Sequence, residues 1–209
     1  MGGVIGALSP KIVLVAGTLL LASRVGTHRT PATIDPSRPI TTVGTTLAQE
    51  IGLDRASDSR PRFVDIDHST IRVPRLAIDG TMEPPLAIGA DVLREVALLV
   101  DLKAMRLQIL NGSELGRAIR GREAVSASLA ADGCVTVAAT SVDGRPIKVA
   151  FTGAPASTGR IPILIGAMRL DAASLPEGRC RGSDVAVDWP AFAGKSILLD
   201  LGHGRLWIS

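Results

Sequence analysis

One short motif occurs twice in this chain, and that repetition constrains the fold more than any other feature. Leu99–Ile109 and Leu198–Ile208 share a pattern of two apolar residues, Asp, Leu, three turn residues, Arg, Leu, one further residue and Ile. Apolar residues on both sides of a short turn predict a strand–turn–strand unit. A unit of this kind that recurs 99 residues later predicts two related lobes. Two unrelated hairpins are the alternative interpretation of the match.

Other segments predict a mainly β protein with short helices. Alternating apolar and polar residues that end at Asp-Gly, Asn-Gly or Gly-x-Gly are typical of paired strands. Two helices are predicted, one at 45–51 that stops at Gly52 and one at 90–96. The predicted strands outside the repeated motif lie at 63–67, 71–78, 135–138 and 147–151.

The composition argues against several classes of function. The 209 residues are 46% hydrophobic, which rules out a disordered chain, and the formal net charge is only +3. Aromatic residues make up 2% and no dense Lys/Arg cluster is present, so nucleic-acid binding is not expected. The three His residues lie far apart without metal-ligand spacing, so we expect no metal and no other cofactor.

The N-terminus carries an apolar run that we interpret as an export signal. Lys11 precedes Ile12–Ala22, which is the order of basic residue and apolar segment in secretory signals. The run is too short to span a bilayer comfortably. We therefore predict residues 1–22 as a signal peptide or an uncleaved membrane anchor, and 23–32 as a linker. The protein is then expected to be periplasmic or secreted, with a cytoplasmic location as the alternative.

The two cysteines allow two interpretations. Cys134 and Cys180 both fall in the second half of the chain. In an oxidising compartment they would form one disulfide that closes a long loop. Two separate thiols are the alternative, and the sequence leaves both states open.

Several motifs in the first half of the chain have the order found in a known family. Leu47–Leu53 predicts a short helix that ends in Gly-Leu, and Ile88–Arg94 contains Ile-Gly-x-Asp-x-Leu ahead of the second helix. The first copy of the repeated hairpin then follows. This order resembles that of the retropepsin-like and pepsin-like aspartic peptidases, in particular exported bacterial members with two lobes in tandem.

The resemblance implies a mainly β, bilobal, aspartic-peptidase-like barrel fold with short helices. Lobe one would span 33–112 and lobe two 133–209, with an inter-lobe connection at 113–132. The implied partner is a peptide or protein that binds in the cleft between the lobes. The oligomeric state does not follow from the resemblance.

The resemblance also places the candidate site in lobe one. Aspartic peptidases use one Asp from each lobe, so that one activates a water while the other, protonated, polarises the peptide carbonyl. Asp35 would be the catalytic carboxylate of lobe one, in a loop with Pro36 and Ser37, and Thr41 follows it by six residues. Pro36 stands in place of the family's Thr and has no N–H.

In lobe two the alignment leaves the second Asp missing. Phe151 takes its position, and Thr152, Gly153 and Ala154 follow as the rest of the active-site loop. Phe neither binds a proton nor orients a water. The resemblance thus implies a catalytic dyad that is reduced to one carboxylate.

Two functions are therefore expected. The first is an exported aspartic endopeptidase in which an aspartyl-activated water hydrolyses the bound peptide. The alternative is a catalytically inactive pseudopeptidase that binds peptides or acts as a scaffold in the cell envelope. The family resemblance favours the first, and the missing second Asp favours the alternative.

Overall fold

Two β-lobes and a sheet that they share make up the structure. Residues 1–10, which include the start of the predicted signal, and Ala154 of the predicted site lie outside the described residues. The computed structural model describes residues 11–53, 57–58, 61–66, 69–80, 82–130, 132–153, 159–175 and 180–209.

Lobe one is built on a nine-stranded sheet. Its strands are β1 (Ile12–Val15), β2 (Thr18–Val25), β3 (His28–Ile34), β4 (Thr42–Val43), β5 (Ser57–Asp58), β6 (Arg62–Ile66), β7 (Ser69–Val73), β8 (Leu76–Ile78) and β9 (Leu86–Ile88). The strand order is β5-β8-β4-β9-β3-β2-β6-β7, and β1 also pairs with β2. The β3–β9 pair is parallel, so the carboxyl ends of these two strands lie together.

Lobe two contains a closed barrel. Its strands are β12 (Ala124–Leu129), β13 (Val135–Ser141), β14 (Pro146–Phe151), β15 (Arg160–Ile165), β16 (Met168–Ala173) and β17 (Val185–Val187). Strands β13, β14, β17, β16 and β15 pair in turn, and β15 pairs again with β13. The β14–β17 pair is parallel, as β3–β9 is in lobe one.

The repeated motif forms the centre of the shared sheet. Its first copy is the hairpin of β10 (Ala97–Asp101) and β11 (Arg106–Leu110), and its second is β18 (Ser196–Asp200) and β19 (Arg205–Ile208). β10 and β18 pair antiparallel, and Leu99 lies opposite Leu198, its match in the motif. An approximate twofold axis therefore passes between β10 and β18, which confirms the prediction of two related lobes.

The N-terminal apolar run differs from its sequence prediction. Ile12–Val15 and Thr18–Val25 form a β-hairpin of lobe one. The turn passes through Ala16 and Gly17, both at positive φ. The predicted linker at 23–32 is corrected in the same way, since residues 23–25 belong to β2 and 28–32 to β3.

Lobe two shows why this hairpin belongs to the fold. The Ile12 N–H donates to the carbonyl of Met105 at 3.1 Å, in the turn of the first motif copy. The Ala127 N–H donates to the carbonyl of Gly204, the matching residue of the second copy, at 2.9 Å. β1 and β12 are therefore equivalent strands of the two lobes.

Burial explains the apolar character of the run. Ile12, Leu19 and Leu21 are all buried in the core of lobe one. A short apolar run is compatible with a signal segment and with buried strands alike, so its composition does not separate the two. Among the described residues, no helix is long and apolar enough to cross a membrane.

The two predicted helices are present, and a third was missed. These are α1 (Thr45–Glu50) and α2 (Ala90–Leu93), which is shorter than predicted because β10 soon follows. The third, α3 (Gly112–Ala118), begins where an Asn-Gly turn was predicted. Its sequence signal is a capping box, in which the Asn111 side chain accepts from the Glu114 N–H and the Glu114 carboxylate accepts from the Asn111 N–H.

One continuous apolar core runs through both lobes and the shared sheet. A smaller cluster on lobe two contains the Cys134–Cys180 disulfide together with Ala150 and Ala186. The structure therefore selects the disulfide from the two states that the sequence left open.

Replacing Leu19 by Ala should lower the free energy of unfolding by about 2–5 kcal/mol, because the side chain is fully buried. Val13 lies in the same hairpin but is 55% exposed. Val13→Ala should therefore change the free energy of unfolding by less than about 0.5 kcal/mol. Urea unfolding of the two variants measures the difference. Equal midpoints would show that the N-terminal hairpin is not part of the cooperative fold.

Candidate active-site region

The candidate site lies where the parallel strand pairs of the two lobes end. A loop leaves β3 in lobe one and β14 in lobe two, and each loop runs toward the other lobe. The Asp35 N–H donates to the Ile88 carbonyl at 2.9 Å, and the Thr152 N–H donates to the Val187 carbonyl at 2.8 Å. Because Ile88 and Val187 end matching strands, these hydrogen bonds mark equivalent positions in the two lobes.

This equivalence corrects the alignment of lobe two by one residue. Thr152, not Phe151, occupies the position that matches Asp35. Phe151 matches Ile34 at the end of the preceding strand, and its ring is fully buried with its centroid 4.8 Å from that of Trp189. Strand register decides the match, and register is not visible in the sequence.

The Asp35 carboxylate is buried and its oxygens are engaged. The residue is 4% exposed. Oδ1 accepts hydrogen bonds from the Ser37 N–H at 3.1 Å, the Ser37 hydroxyl at 2.6 Å and the Gly153 N–H at 2.9 Å. The loop closes through this side chain as an Asx turn, so it does not need the N–H that Pro36 lacks.

Arg38 connects Asp35 to the surface. Its Nε donates to Asp35 Oδ2 at 3.2 Å, and its Nη1 donates to Asp79 Oδ2 at 2.8 Å and to Thr42 Oγ1 at 3.0 Å. A carboxylate has about four acceptor positions in all. The donors from Ser37, Gly153 and Arg38 leave Asp35 little capacity to hold and deprotonate a water.

Gly153 allows lobe two to reach Asp35. Its backbone N–H points directly at the carboxylate of the other lobe. A Cβ at residue 153 would clash with the Asp35 backbone, so any residue larger than glycine would push the two loops apart.

Two further hydrogen bonds cross between the lobes beside this contact. The Trp189 Nε1–H donates to the Ile34 carbonyl at 2.9 Å, and the Val135 N–H donates to the Pro36 carbonyl at 3.2 Å. Three hydrogen bonds from lobe two therefore hold the segment that carries Asp35.

Thr152 does not replace the missing Asp. Its side chain is buried, and its hydroxyl donates to the Val187 carbonyl at 3.2 Å. A hydroxyl is a poor general base and does not share a proton as a second carboxylate does. Asp35 and Thr152 therefore lack the paired carboxylates that aspartic-peptidase chemistry needs.

Thr41 lies beside the site and ties the loop after Asp35 to α2. Its N–H and its hydroxyl donate to Asp91 Oδ1 at 2.9 and 2.8 Å, and its hydroxyl accepts from the Gly89 N–H at 3.0 Å. Burial raises the pKa of Asp91, and the hydrogen bonds from Thr41 oppose that shift.

Lobe two lacks the segment that contains this network. Residues 35–61 lie between β3 and β6, whereas only 152–159 lie between β14 and the matching strand β15. In lobe one the longer segment covers Gly89 so closely that a Cβ there would lie 2.7 Å from Ile40. In lobe two that space is available to a side chain.

Asp188 uses this space, and sequence reasoning missed it. It matches Gly89, is fully buried, and binds Arg160 through two hydrogen bonds of 3.0 Å. The hydrogen bonds to the Asp188 carboxylate raise the pKa of the Arg160 guanidinium. Its sequence signal was the Asp-Trp-Pro step after an alternating strand, which does not follow the Ile-Gly-x-Asp pattern of lobe one. Within the described ranges, no three His, Cys, Asp or Glu side chains come together as metal ligands.

The two lobes and their strand topology define the class of fold: this chain has a bilobal aspartic-peptidase-like fold, in which Asp35 and Thr152 occupy equivalent positions. Basic 7S globulin from soybean has a similar solved structure, with a TM-score of 0.58 and 7% identity over 96% of this chain and 94% of that chain. The retroviral protease-like domain of Ddi1 from Leishmania major aligns with a TM-score of 0.36 and 18% identity, over 46% of this chain and 96% of that chain. No protein-family model and no curated protein matches the sequence.

Asp35→Ala should lower the free energy of unfolding by about 2–4 kcal/mol, because it leaves buried donors of both lobes without an acceptor. Asp35→Asn keeps one acceptor oxygen and should cost about half as much. Asp79→Ala removes only the exposed partner of Arg38 and should cost less than about 1 kcal/mol. Chemical unfolding of the three variants gives the ranking, and a neutral Asp35→Ala would contradict the structural role.

Asp91→Asn should gain stability relative to the wild type as the pH rises. The folded-state pKa of Asp91 lies above its ordinary value of 3.8, so the folded protein binds more protons than the unfolded chain and loses stability as pH increases through this range. Asn has no charge to bury, so the difference should grow as the pH rises above the ordinary carboxyl pKa of 3.8 and should level off once the folded-state carboxyl is ionised.

Urea unfolding of Asp91→Asn at several pH values measures this trend. Asp91→Ala is the control, since it removes the acceptor for Thr41 and should be less stable than Asp91→Asn at every pH. A difference between Asp91→Asn and the wild type that stays constant with pH would contradict the raised pKa.

Proposed function

We propose that this protein is a pseudopeptidase, which binds an extended peptide segment between its lobes and does not hydrolyse it. The observation that carries the proposal is the state of Asp35. Its carboxylate is engaged by Ser37, Arg38 and Gly153, and the matching position of lobe two holds Thr152. Asp35 therefore acts as a structural contact between the lobes.

Hydrolysis by this fold needs a water held between two carboxylates, one of which starts protonated. A single carboxylate that is occupied by an Arg and by buried N–H and O–H groups does not supply that arrangement. The remaining support for hydrolysis is the position of Asp35, which corresponds to the catalytic Asp of the family that the sequence resembles. Hydrolysis is therefore the competing outcome of the test below.

The fold supports a peptide as the ligand. Among the described strands, β5 and β7 end the sheet of lobe one, and an extended peptide can bind to such an edge as an added strand. Charged side chains near the two loops give polar contacts for the ligand. These are Arg38 and Asp79 in lobe one and Arg160 in lobe two, of which Arg160 is 34% exposed.

The proposed location is an oxidising compartment, either the periplasm or the cell exterior. Its support is the Cys134–Cys180 disulfide, because such bridges persist where the environment is oxidising. The apolar run at 12–22 no longer contributes, since it lies in the hairpin of lobe one.

Incubation of the purified protein with unfolded protein substrates between about pH 3 and 7 should release no new peptides. Asp35→Asn is the matched control, because it removes the acid while keeping one acceptor oxygen. Mass spectrometry of the products provides the measurement. Cleavage by the wild type that disappears in Asp35→Asn would show a working peptidase and overturn the proposal.

Binding is tested separately with a statine-containing peptide, which imitates the tetrahedral intermediate of aspartic peptidases. We expect saturable binding by calorimetry that competes with an extended substrate peptide. Binding without cleavage supports the pseudopeptidase. Absence of both would show that the inter-lobe region does not bind peptides.

A further inference from the structure

A groove on the outer face of lobe two lies on β12, β13 and β14. It encloses about 400 Å³, and the turn at residues 181–182 forms one wall. The size falls within the range of small-molecule sites. The side chains that matter for its chemistry are Ser126, Ser128, Thr136, Ala138, Lys148 and Arg181.

Small side chains make this face of the sheet concave. Side chains alternate between the two faces of a strand, so Ser126 and Ser128 point outward from β12 while Ala127 is buried between them. Thr136 and Ala138 continue the same face on β13. The matching face of lobe one carries Val13 where lobe two carries Ser128, so the polar lining is particular to lobe two.

The hydroxyl groups and one cation lie within reach of a single small ligand. Ser128 and Thr136 are paired across the strands, with their hydroxyl oxygens 2.8 Å apart. Lys148 pairs with Ala138, which is two residues further along β13. Since two residues span roughly 7 Å of strand, the ammonium group of Lys148 can reach a ligand placed over the hydroxyl pair.

The disulfide positions the second cation. Cys180, which is bonded to Cys134, precedes Arg181 in a tight turn closed by a hydrogen bond of 3.2 Å from the Ser183 N–H to the Cys180 carbonyl. Gly182 completes the turn at a φ of 88°. The disulfide thus fixes the backbone of Arg181 to the start of β13, at one end of the groove.

The groove has an excess of positive charge. Lys148 and Arg181 are exposed, and neither forms an ion pair with a described carboxylate. No Asp or Glu among the described residues lines the groove. The nearby Asp184 is engaged with the sheet, where its Oδ2 accepts the backbone N–H of Lys148 at 2.8 Å.

We propose that this groove binds a small ligand that carries a phosphate or sulfate group. An Arg guanidinium and a Lys ammonium bind the oxygens of a tetrahedral oxyanion, and hydroxyl groups donate further hydrogen bonds to it. The rest of the ligand lies over the small side chains between Ser126 and Ala138, which form the floor of the groove. The site is separate from Asp35 and does not depend on peptide binding between the lobes.

Glycerol 3-phosphate and methyl sulfate are the probes, and glycerol is the uncharged control. We expect both anions, and not glycerol, to shift the backbone amide NMR signals of β12, β13 and residues 181–182 in a saturable manner. Lys148→Gln and Arg181→Gln should each weaken binding by about tenfold, the loss of one charge-assisted contact. A preference for one anion identifies the ester that the groove binds.

Two further variants make the test specific. Arg29→Gln removes an exposed cation from β3 of lobe one and should leave binding unchanged. Ala138→Glu places a carboxylate opposite Lys148 on an exposed position and should abolish binding without loss of folding. Absence of saturable shifts in the wild type would overturn the proposal. Equal weakening by Arg29→Gln would also overturn it, because the anions would then bind only through the net charge.

Discussion

The antiparallel pairing of β10 with β18 is the interaction on which the rest of this structure depends. It joins the two copies of the repeated motif and sets the approximate twofold axis. In each lobe the motif copy follows soon after the second strand of the parallel pair, which is β9 in lobe one and β17 in lobe two. The axis therefore brings the ends of both pairs together, and the loops that begin at Asp35 and Thr152 meet between the lobes.

The two lobes share this framework but fill equivalent positions differently. Lobe one covers Gly89 with its own chain and has no room for a side chain there, while lobe two has Asp188 and its ion pair with Arg160. At the centre, lobe one has a carboxylate and lobe two a hydroxyl. A lone carboxylate at such an interface must be compensated by donors. In this protein Ser37, Arg38 and Gly153 supply them, so the Asp35 carboxylate helps to hold the two lobes together.

Much of the fold could be predicted from the sequence because its signals are local. The motif spacing at 99–109 and 198–208 revealed the two lobes, and the Gly-Leu stop and the Ile-Gly-x-Asp pattern identified α1 and α2. The hairpin at 12–25 was missed because an apolar run has the same composition in a signal as in a core. The site was displaced by one residue, from Thr152 to Phe151, because strand register depends on long-range pairing. The donors around Asp35 come from both lobes, and no local pattern could have revealed Gly153 as one of them.

The contact between Ile12 and Met105 has a consequence for how the chain folds during synthesis. Lobe one begins with a strand whose partner carbonyl belongs to the hairpin that ends the lobe, so its core cannot be completed until that hairpin has left the ribosome. Until then β1 lacks this partner, although it pairs with β2 in the finished lobe. Long-range pairing of this kind slows folding and exposes intermediates to aggregation. Lobe two has the same arrangement, since the Ala127 N–H donates to the Gly204 carbonyl of its final hairpin, so each lobe is completed only when its last hairpin has been synthesised.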